Sequence, residues 1–177
     1  MKLKKTQFED VFILEPEIHE DSRGYFYESY NQKTFRDKVL QTVSFVQDNH
    51  SMSNKNVLRG LHYQKPPFEQ AKLIRVISGK IFDVIVDIRR DSHSFGKWQS
   101  FILSSDNPNQ LWIPRGFAHG FLSLRDNTEV NYKTDNFYNK ESSVSINYND
   151  TNLQIDWPCE NPILSSSDNE GIKFSEL

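Results

Sequence analysis

The sequence predicts an all-β protein, built as a sandwich or a jelly-roll barrel in one domain spanning residues 1–177. Short apolar runs rich in β-branched residues recur at intervals of about 8–12 residues, as they do in sandwiches and barrels. Only residues 31–40 have the pattern of a helix. A chain of 177 residues buries roughly 70% of the surface that its unfolded state exposes, so one substantial core is expected.

The first part of the chain alternates between strand patterns and polar breaks. The predicted elements are, in order, an edge or swapped strand at 11–14, a turn at 21–24, a strand at 25–30, a helix at 31–40, a strand at 44–49 and a polar loop at 49–56. Pro16 ends the first strand, because proline is confined to strand ends and edges. Alternation over 25–30 places Phe26 and Glu28 on one face, and Asn31 is a suitable cap for the helix.

The most apolar stretch, residues 72–87, contains two β-branched runs joined by Ser78-Gly79-Lys80. A glycine in a short break between two such runs predicts a β-hairpin. Asp83 and Asp87 alternate with valines in the second run, so at least one carboxylate is expected to point inward, where it needs a partner such as a histidine. The later predicted strands lie at 99–103, 111–113, 117–124, 129–133 and 143–148.

Charge and cysteine content exclude several classes of protein. The chain has 21 basic and 24 acidic residues, well interspersed, for a net charge of -3, which argues against a general binder of nucleic acid or of membrane surfaces. Cys159 is the single cysteine, so no internal disulfide can form and a reducing compartment is indicated. The first ten residues lack the apolar core of a secretory signal. We therefore expect a cytoplasmic protein.

Two segments, 59–64 and 111–121, each place one histidine in an apolar setting. The spacing of Pro114, Gly116 and His119 matches the second half of the cupin metal motif. The first half would supply two more histidines and a carboxylate, but only His62 is present and Gln70 stands near the carboxylate position. A metal site needs three or four convergent ligands, so we expect no metal.

Acid–base chemistry is the alternative for these residues. His62 can accept a proton near neutral pH, and Arg59, Lys72 and His119 could hold negative charge that develops on a carbonyl oxygen. Tyr132 is a candidate proton donor on the opposite side. A hydrogen-bonded core histidine and a tyrosine packed in a strand are the ordinary alternatives, which the residues alone leave open.

Seven blocks of sequence together resemble one family. They are DSRGYFYE, FVQDN, LRGLHYQ, KLIRVISGKIFDVIVDIRRDS, QLWIPRGFAHGF, YKTDNFY and IDWP. In this order, from about Phe12 to Asp168, they resemble the dTDP-4-dehydrorhamnose 3,5-epimerase family. The resemblance implies a cupin-type jelly-roll β-barrel without metal or cofactor, and a homodimer in which N-terminal strands are exchanged.

The resemblance also implies a reaction, the inversion of carbons 3 and 5 of dTDP-4-dehydro-6-deoxy-D-glucose on the route to dTDP-L-rhamnose and cell-surface polysaccharide. By position, His62 removes the protons, Tyr132 returns them from the other face, Asp168 pairs with the base, and Lys72 with His119 stabilises the enolate oxygen. The positions implied to contact substrate are Arg23, Phe26, Glu28, Gln47, Asp48, Asn49, Arg59, Lys72, His119 and Tyr138. Phe26 and Tyr138 would flank the base.

Two positions depart from the family pattern, and several alternatives remain. Ser167 replaces a frequent lysine and Ser143 a frequent glutamate, which leaves the nucleotide contacts open. The related alternatives are an epimerase that inverts one carbon and a 3,4-ketoisomerase. The alternatives from other classes are a non-catalytic cupin that binds sugar nucleotides and a metal-dependent oxygenase.

Overall fold

The computed structural model describes residues 1–177 and contains thirteen strands with little helix. The strands are β1 (Lys2–Lys5), β2 (Phe12–Glu15), β3 (His19–Asp21), β4 (Gly24–Phe26), β5 (Gln47–Ser53), β6 (Leu58–Gln64), β7 (Lys72–Ser78), β8 (Lys80–Asp87), β9 (Trp98–Ser104), β10 (Gln110–Ile113), β11 (Phe117–Ser123), β12 (Thr128–Thr134) and β13 (Ser143–Ser145). The helices are α1 (Gln32–Lys38), α2 (Ser166–Asn169) and one 3₁₀ turn (Phe174–Glu176). No helix has the length and apolar character needed to cross a membrane.

Two antiparallel sheets make up the body of the fold. The six-stranded sheet has the order β1-β2-β10-β7-β12-β5, and the five-stranded sheet has the order β13-β6-β11-β8-β9. Most neighbouring strands are distant in sequence, as in a jelly roll, where successive strands pass between two facing sheets. The predicted all-β, jelly-roll fold is confirmed.

The predicted hairpin between β7 and β8 is wrong. β7 pairs with β10 and β12, whereas β8 pairs with β9 and β11 in the other sheet. Gly79, with φ +85°, forms a corner between the sheets, and a Cβ there would lie 2.3 Å from the Thr128 hydroxyl. A glycine between two apolar runs signals a sharp change of direction, and that signal is the same for a hairpin and for a crossover.

Side chains of the two sheets meet in an interior with an apolar part and a polar part. The apolar part is a cluster of twelve buried side chains, among them Ile74, Val76, Ile81, Ile85, Phe117, Phe121 and Val130. Because side chains alternate along a strand, the same inward rows also carry Lys72 on β7, Asp83 on β8 and His119 on β11. These three residues are buried, so rigid strands hold the polar part of the interior.

The N-terminal region departs from the expected pattern in two places. β2 lies inside its sheet between β1 and β10, so β1 and not the predicted 11–14 segment forms the edge. β4 ends at Phe26, so Glu28 lies outside the strand that was expected to carry both residues. β3 and β4 pair only with each other, and all six of their residues are exposed. The hairpin they form has no core to pack against within this chain.

The predicted helix is confirmed as α1, with Asn31 as its N-cap. The Asn31 side-chain oxygen accepts a hydrogen bond from the Thr34 backbone amide at 3.1 Å, which satisfies one of the free amides at the helix start. Phe35 is buried and meets Trp112 edge to face, with ring centroids 5.1 Å apart. The helix therefore packs on the outer side of the six-stranded sheet through an aromatic contact.

Two further segments differ from the prediction. Residues 47–53 form β5, although 49–56 has the composition of a polar loop; β5 is an edge strand paired only with β12, so it needs no apolar face. The predicted strand at 143–148 shortens to β13. Both differences lie beside the cavity described next, as does α2, the short helix that the polar tail forms and that Ser165 caps.

Candidate active site

A cavity of about 700 Å³ opens at the polar end of the interior, between the two sheets. Its wall includes Arg59, His62, Lys72, His119, Tyr132, Tyr138 and Asp168. β6 and β11 contribute from the five-stranded sheet, β7 and β12 from the six-stranded sheet, and α2 closes one side. The side chains predicted to act as base and acid therefore face one space from opposite walls.

His62 and Asp168 form the first histidine–carboxylate pair of this cavity. The His62 Nε2 lies 2.5 Å from Asp168 Oδ1, and the Ser165 hydroxyl donates to Asp168 Oδ2 at 2.7 Å. Burial alone would raise the pKa of Asp168, but the hydrogen bonds from His62 and Ser165 outweigh it and lower the pKa below its ordinary value. Asp168 is therefore an anion at neutral pH, while the His62 side chain remains 41% exposed and open to the cavity.

His119 and Asp83 form a second pair beside the first. His119 lies opposite His62 in the β11–β6 ladder, and its Nε2 lies 2.8 Å from Asp83 Oδ2. This bears out the expectation that an inward carboxylate on β8 would meet a histidine. Burial lowers the pKa of His119, although the Asp83 charge opposes this, so the neutral ring is favoured at neutral pH.

Two glycines allow the strands that carry these histidines to lie close together. A Cβ at Gly60, which has φ +120°, would lie 2.5 Å from the Gly120 Cα, and a Cβ at Gly120 would lie 2.8 Å from the Arg59 carbonyl oxygen. Side chains at either position would push β6 and β11 apart. The register between the two strands also shifts between His119 and Phe121, so the main chain sets the spacing of the two imidazoles.

Lys72 provides a buried ammonium next to both pairs. Its Nζ donates to the His62 carbonyl oxygen at 3.3 Å. Burial lowers the pKa of Lys72 to about 8, and the Asp83 charge partly offsets this. At pH 7 the group is still mainly charged, and it retains N–H donors for a ligand in the cavity.

Tyr132 faces the histidines from the six-stranded sheet, where it pairs in register with Asn49 and Ile74. Burial raises the pKa of Tyr132, while the nearby Arg59 charge lowers it somewhat. Its hydroxyl is therefore protonated at neutral pH and can donate. Arg59 is held by the Ser53 hydroxyl at 3.0 Å and by the Met52 carbonyl at 3.1 Å, and it forms no ion pair with a carboxylate.

Tyr138 lies at the mouth of the cavity on a loop held by two glutamines. The Tyr138 amide donates to Gln47 Oε1 at 3.2 Å. Gln64, which is buried, accepts from the Asn139 amide at 2.7 Å and donates to the carbonyls of Phe68 at 2.6 Å and Phe137 at 3.2 Å. Gln64, Ser165 and the cavity-lining Lys140 were missed from the sequence, because glutamine, serine and lysine in polar segments give no distinctive pattern.

The predicted contacts on β5 divide between its two faces. Gln47, Asn49 and Ser51 occupy alternate positions, and Ser51 lines the cavity. Asp48 belongs to the other face, where its carboxylate lies 2.6 Å from the Lys133 ammonium. Strand alternation therefore directs Asp48 away from the cavity of its own chain.

Three further predicted contacts are not brought to the cavity by this chain. Arg23 and Phe26 lie on the exposed β3–β4 hairpin, where Arg23 pairs with Asp21. Glu28 accepts a hydrogen bond from the Asn31 side chain at 3.1 Å, next to the start of α1. None of the three lines the cavity that contains His62. No group of three or more His, Cys, Asp or Glu side chains has an arrangement suited to a metal ion.

Comparisons with known proteins agree with one another. The family model described as dTDP-4-dehydrorhamnose 3,5-epimerase matches residues 5–176. Two curated relatives of that name are 53% identical over 174 residues (Shigella flexneri; 98% of this chain, 96% of the relative) and 54% identical over 178 (Escherichia coli K12; 100% and 96%). A crystal structure of dTDP-6-deoxy-D-glucose-3,5-epimerase from Legionella pneumophila Philadelphia 1, in complex with dTDP-4-keto-L-rhamnose, has a TM-score of 0.95 at 46% identity and covers 98% of this chain and 93% of its own.

Proposed function

The chain belongs to the dTDP-4-dehydrorhamnose 3,5-epimerase family, and from that membership we propose how its side chains perform the reaction. It is an isomerase that converts dTDP-4-dehydro-6-deoxy-D-glucose into dTDP-4-dehydro-L-rhamnose by inverting carbons 3 and 5. The observation that carries the proposed mechanism is the His62–Asp168 pair on one wall of a cavity and Tyr132 on the opposite wall. A base on one side and an acid on the other are what inversion through a planar intermediate needs.

Each inversion proceeds through an enolate. His62 takes the proton from the carbon next to the C4 ketone. The electron pair of that C–H bond forms the C=C bond of the enolate, and the π pair of the C=O bond moves onto the C4 oxygen. Asp168, an anion, stabilises the imidazolium that forms. Positioned acid–base groups of this kind contribute about 100- to 10,000-fold in rate. The Tyr132 hydroxyl then delivers its proton to the opposite face of the same carbon, and both residues return to their starting states by exchange with solvent.

Lys72 holds the negative charge that appears on the C4 oxygen. Its ammonium is buried, charged at neutral pH and engaged with one protein acceptor. A preorganised donor at an oxyanion contributes about 100- to 1,000-fold in rate. His119 lies next to the same oxygen. We assign Arg59 to the diphosphate, since it is free of carboxylates, and Tyr138 to stacking on the base at the cavity mouth.

The test is solvent exchange in D₂O with dTDP-4-dehydro-6-deoxy-D-glucose, followed by NMR at each ring carbon. We expect deuterium at both C3 and C5 together with inversion, and loss of both in His62→Ala. Deuterium at one carbon alone would replace this proposal with a single-centre epimerase. No exchange by a protein that still binds the substrate would leave only a sugar-nucleotide-binding role.

We also propose a homodimer in which each chain completes the other's cavity. The exposed β3–β4 hairpin supports this, since Arg23 and Phe26 lie on it away from their own cavity. In the dimer Arg23, Phe26 and Glu28 of one chain contact substrate bound to its partner. We further propose that residues 1–177 form a single domain. The single Cys159 supports a cytoplasmic location, where the protein acts in the biosynthesis of dTDP-L-rhamnose for cell-surface polysaccharide.

A further inference from the structure

Asp83 is a fully buried carboxylate that the proposed mechanism leaves without a role. β8 directs its side chain into the interior, on the same row as the buried Ile81 and Ile85. Its Oδ2 accepts from His119 Nε2 at 2.8 Å, but its Oδ1 has no hydrogen-bond partner. A buried carboxylate oxygen without a donor costs free energy, and an electrostatic role would account for its presence.

Lys72 is the cation that Asp83 acts on. Burial lowers the pKa of Lys72 to about 8, and Asp83 is the charge that raises it against burial. The two side chains form no salt bridge, and the one protein acceptor of the Lys72 ammonium is the His62 carbonyl oxygen. Asp83 therefore favours the charged form of Lys72 without occupying its N–H groups.

The other titratable groups facing Lys72 cannot take this role. Arg59 and His62 on β6 and His119 on β11 have side chains that never carry a negative charge, so none of them can balance the Lys72 ammonium. Burial raises the pKa of the Tyr132 hydroxyl on β12, which therefore has no charge at neutral pH. Asp168 is hydrogen-bonded to His62 and Ser165, so its charge is already paired. Asp83 is thus the carboxylate left to balance the buried ammonium.

We propose that Asp83 is a positioning residue: it is the buried counter-charge that keeps Lys72 cationic with its donors free for the substrate oxygen, and it fixes the ring of His119. The proposal rests on the proposed function, in which Lys72 holds the C4 oxygen of the enolate. A direct ion pair would turn the Lys72 donors away from the substrate. A charge held beyond hydrogen-bond distance keeps the cation and leaves its donors available.

The kinetic test is Asp83→Asn in the full-length protein, with kcat and KM measured between pH 6 and about 10, where Lys72 loses its proton. Loss of one nearby opposite charge shifts a pKa by about 1–3 units, so the alkaline fall in kcat moves to lower pH by at least about one unit. KM changes little, because Asp83 does not touch the substrate. If kcat drops at every pH but its alkaline fall stays at the same pH, Asp83 is only a structural residue.

A direct titration keeps this test separate from the proposed function. In the protein without substrate and with ¹³C-labelled lysine, the Lys72 side chain is followed by NMR and assigned with Lys72→Met. Asp83→Asn lowers the pH at which Lys72 titrates, whether or not the protein is an epimerase. Asp87→Asn is the matched control, since it neutralises a buried carboxylate on the same strand that is bonded to Arg89, Ser92 and Ser94 instead, and Lys72 then titrates as in the wild type.

The reciprocal experiment covers the case in which Asp83→Asn does not fold. Coupling between two titrating groups is mutual, so Lys72→Met leaves the Asp83 charge uncompensated. In the Lys72→Met background, Asp83→Asn removes a buried charge that has lost its counter-ion, so the double variant has a higher free energy of unfolding than Lys72→Met, as urea unfolding at pH 7 measures. A double variant no more stable than Lys72→Met would overturn the proposal.

Discussion

At the scale of single residues, the cavity gives the proposed base, His62, and the proposed acid, Tyr132, different surroundings. Asp168 stays ionised beside His62 because hydrogen bonds outweigh its burial, whereas burial keeps Tyr132 protonated. Neither effect needs a metal or a cofactor. The catalytic assignment can therefore be tested one side chain at a time.

Asp168→Asn removes the charge beside His62 and keeps the shape of the side chain. The imidazolium formed during proton removal then lacks its counter-ion, so we expect kcat to fall by roughly 100- to 10,000-fold with KM nearly unchanged. Steady-state kinetics with the dTDP-linked substrate measures both. A similar fall in binding of dTDP alone would instead indicate a damaged cavity.

Tyr132→Phe removes the proton donor and leaves the base. His62 can still take a proton and return a deuteron to the same face, so we expect deuterium to enter the substrate with retained configuration while inversion is lost. Proton NMR of the sugar in D₂O distinguishes the two outcomes. Normal inversion by Tyr132→Phe would assign the acid to another group.

The sequence predicts which single residues line the cavity better than it predicts their partners. His62, Lys72 and His119 stand out because each lies in a strongly apolar strand, and these strands place all three on the cavity wall. Asp168 was assigned only by resemblance, since it lies in a polar tail without periodicity. Gln64 and Ser165 gave no signal, because their importance depends on which distant carbonyl or carboxylate they meet.

At the scale of elements, the strands could be predicted from the sequence but their pairing could not. β7 and β8 are correctly located as apolar runs, yet a strand pattern does not specify the sheet to which a strand belongs. The sequence of β5 predicts a loop over part of its length, because one face of the strand lines a polar cavity and the other lies on the outer face of the sheet. The edges of β-sheets and the walls of active sites lack the alternation on which prediction depends.

The end of β8 contains a buried ionic cluster that stabilises the corner after the strand. Asp87 is fully buried and accepts hydrogen bonds from Arg89, Ser92 and Ser94. Asp87→Asn removes the buried partner of Arg89, but Arg89 is partly exposed and keeps its ion pair with Asp10. We therefore expect a loss smaller than the roughly 3–5 kcal/mol that breaking a fully buried pair typically costs. Urea unfolding at pH 7 measures this loss.

The same cluster predicts how stability depends on pH. Although burial opposes ionisation, the hydrogen bonds from Arg89, Ser94 and Ser92 hold the pKa of Asp87 well below its ordinary value. A lowered pKa contributes stability that is present above the unfolded-state value of about 3.9 and is lost as the pH falls toward the folded-state value. Between about pH 4 and pH 2 the wild type therefore loses stability more steeply than Asp87→Asn, as urea unfolding over this range can measure.

At the scale of the whole molecule, the proposed dimer predicts complementation between two inactive variants. If Arg23 acts on the partner's cavity, a mixed dimer of Arg23→Ala and His62→Ala has one cavity with both defects and one with neither. Half of the dimers in an equal mixture are mixed, so about a quarter of all cavities are intact when the interface is shared symmetrically. We expect about a quarter of wild-type activity after the two variants are unfolded and refolded together. Activity no higher than that of the separate variants would place Arg23 in its own chain's site or outside any site.

The close approach of β6 and β11 at Gly60 and Gly120 has a consequence for how this protein can vary. Because neither glycine leaves room for a Cβ, the main chain of β6 and β11 sets the distance between the two imidazoles, and repacking of neighbouring side chains has little effect on it. A single methyl group at either glycine would act as a wedge that displaces both imidazoles together. Directed evolution of the pocket for other sugars can therefore substitute residues at the cavity mouth, such as Lys140 and Ser143, but can substitute almost nothing for Gly60 and Gly120.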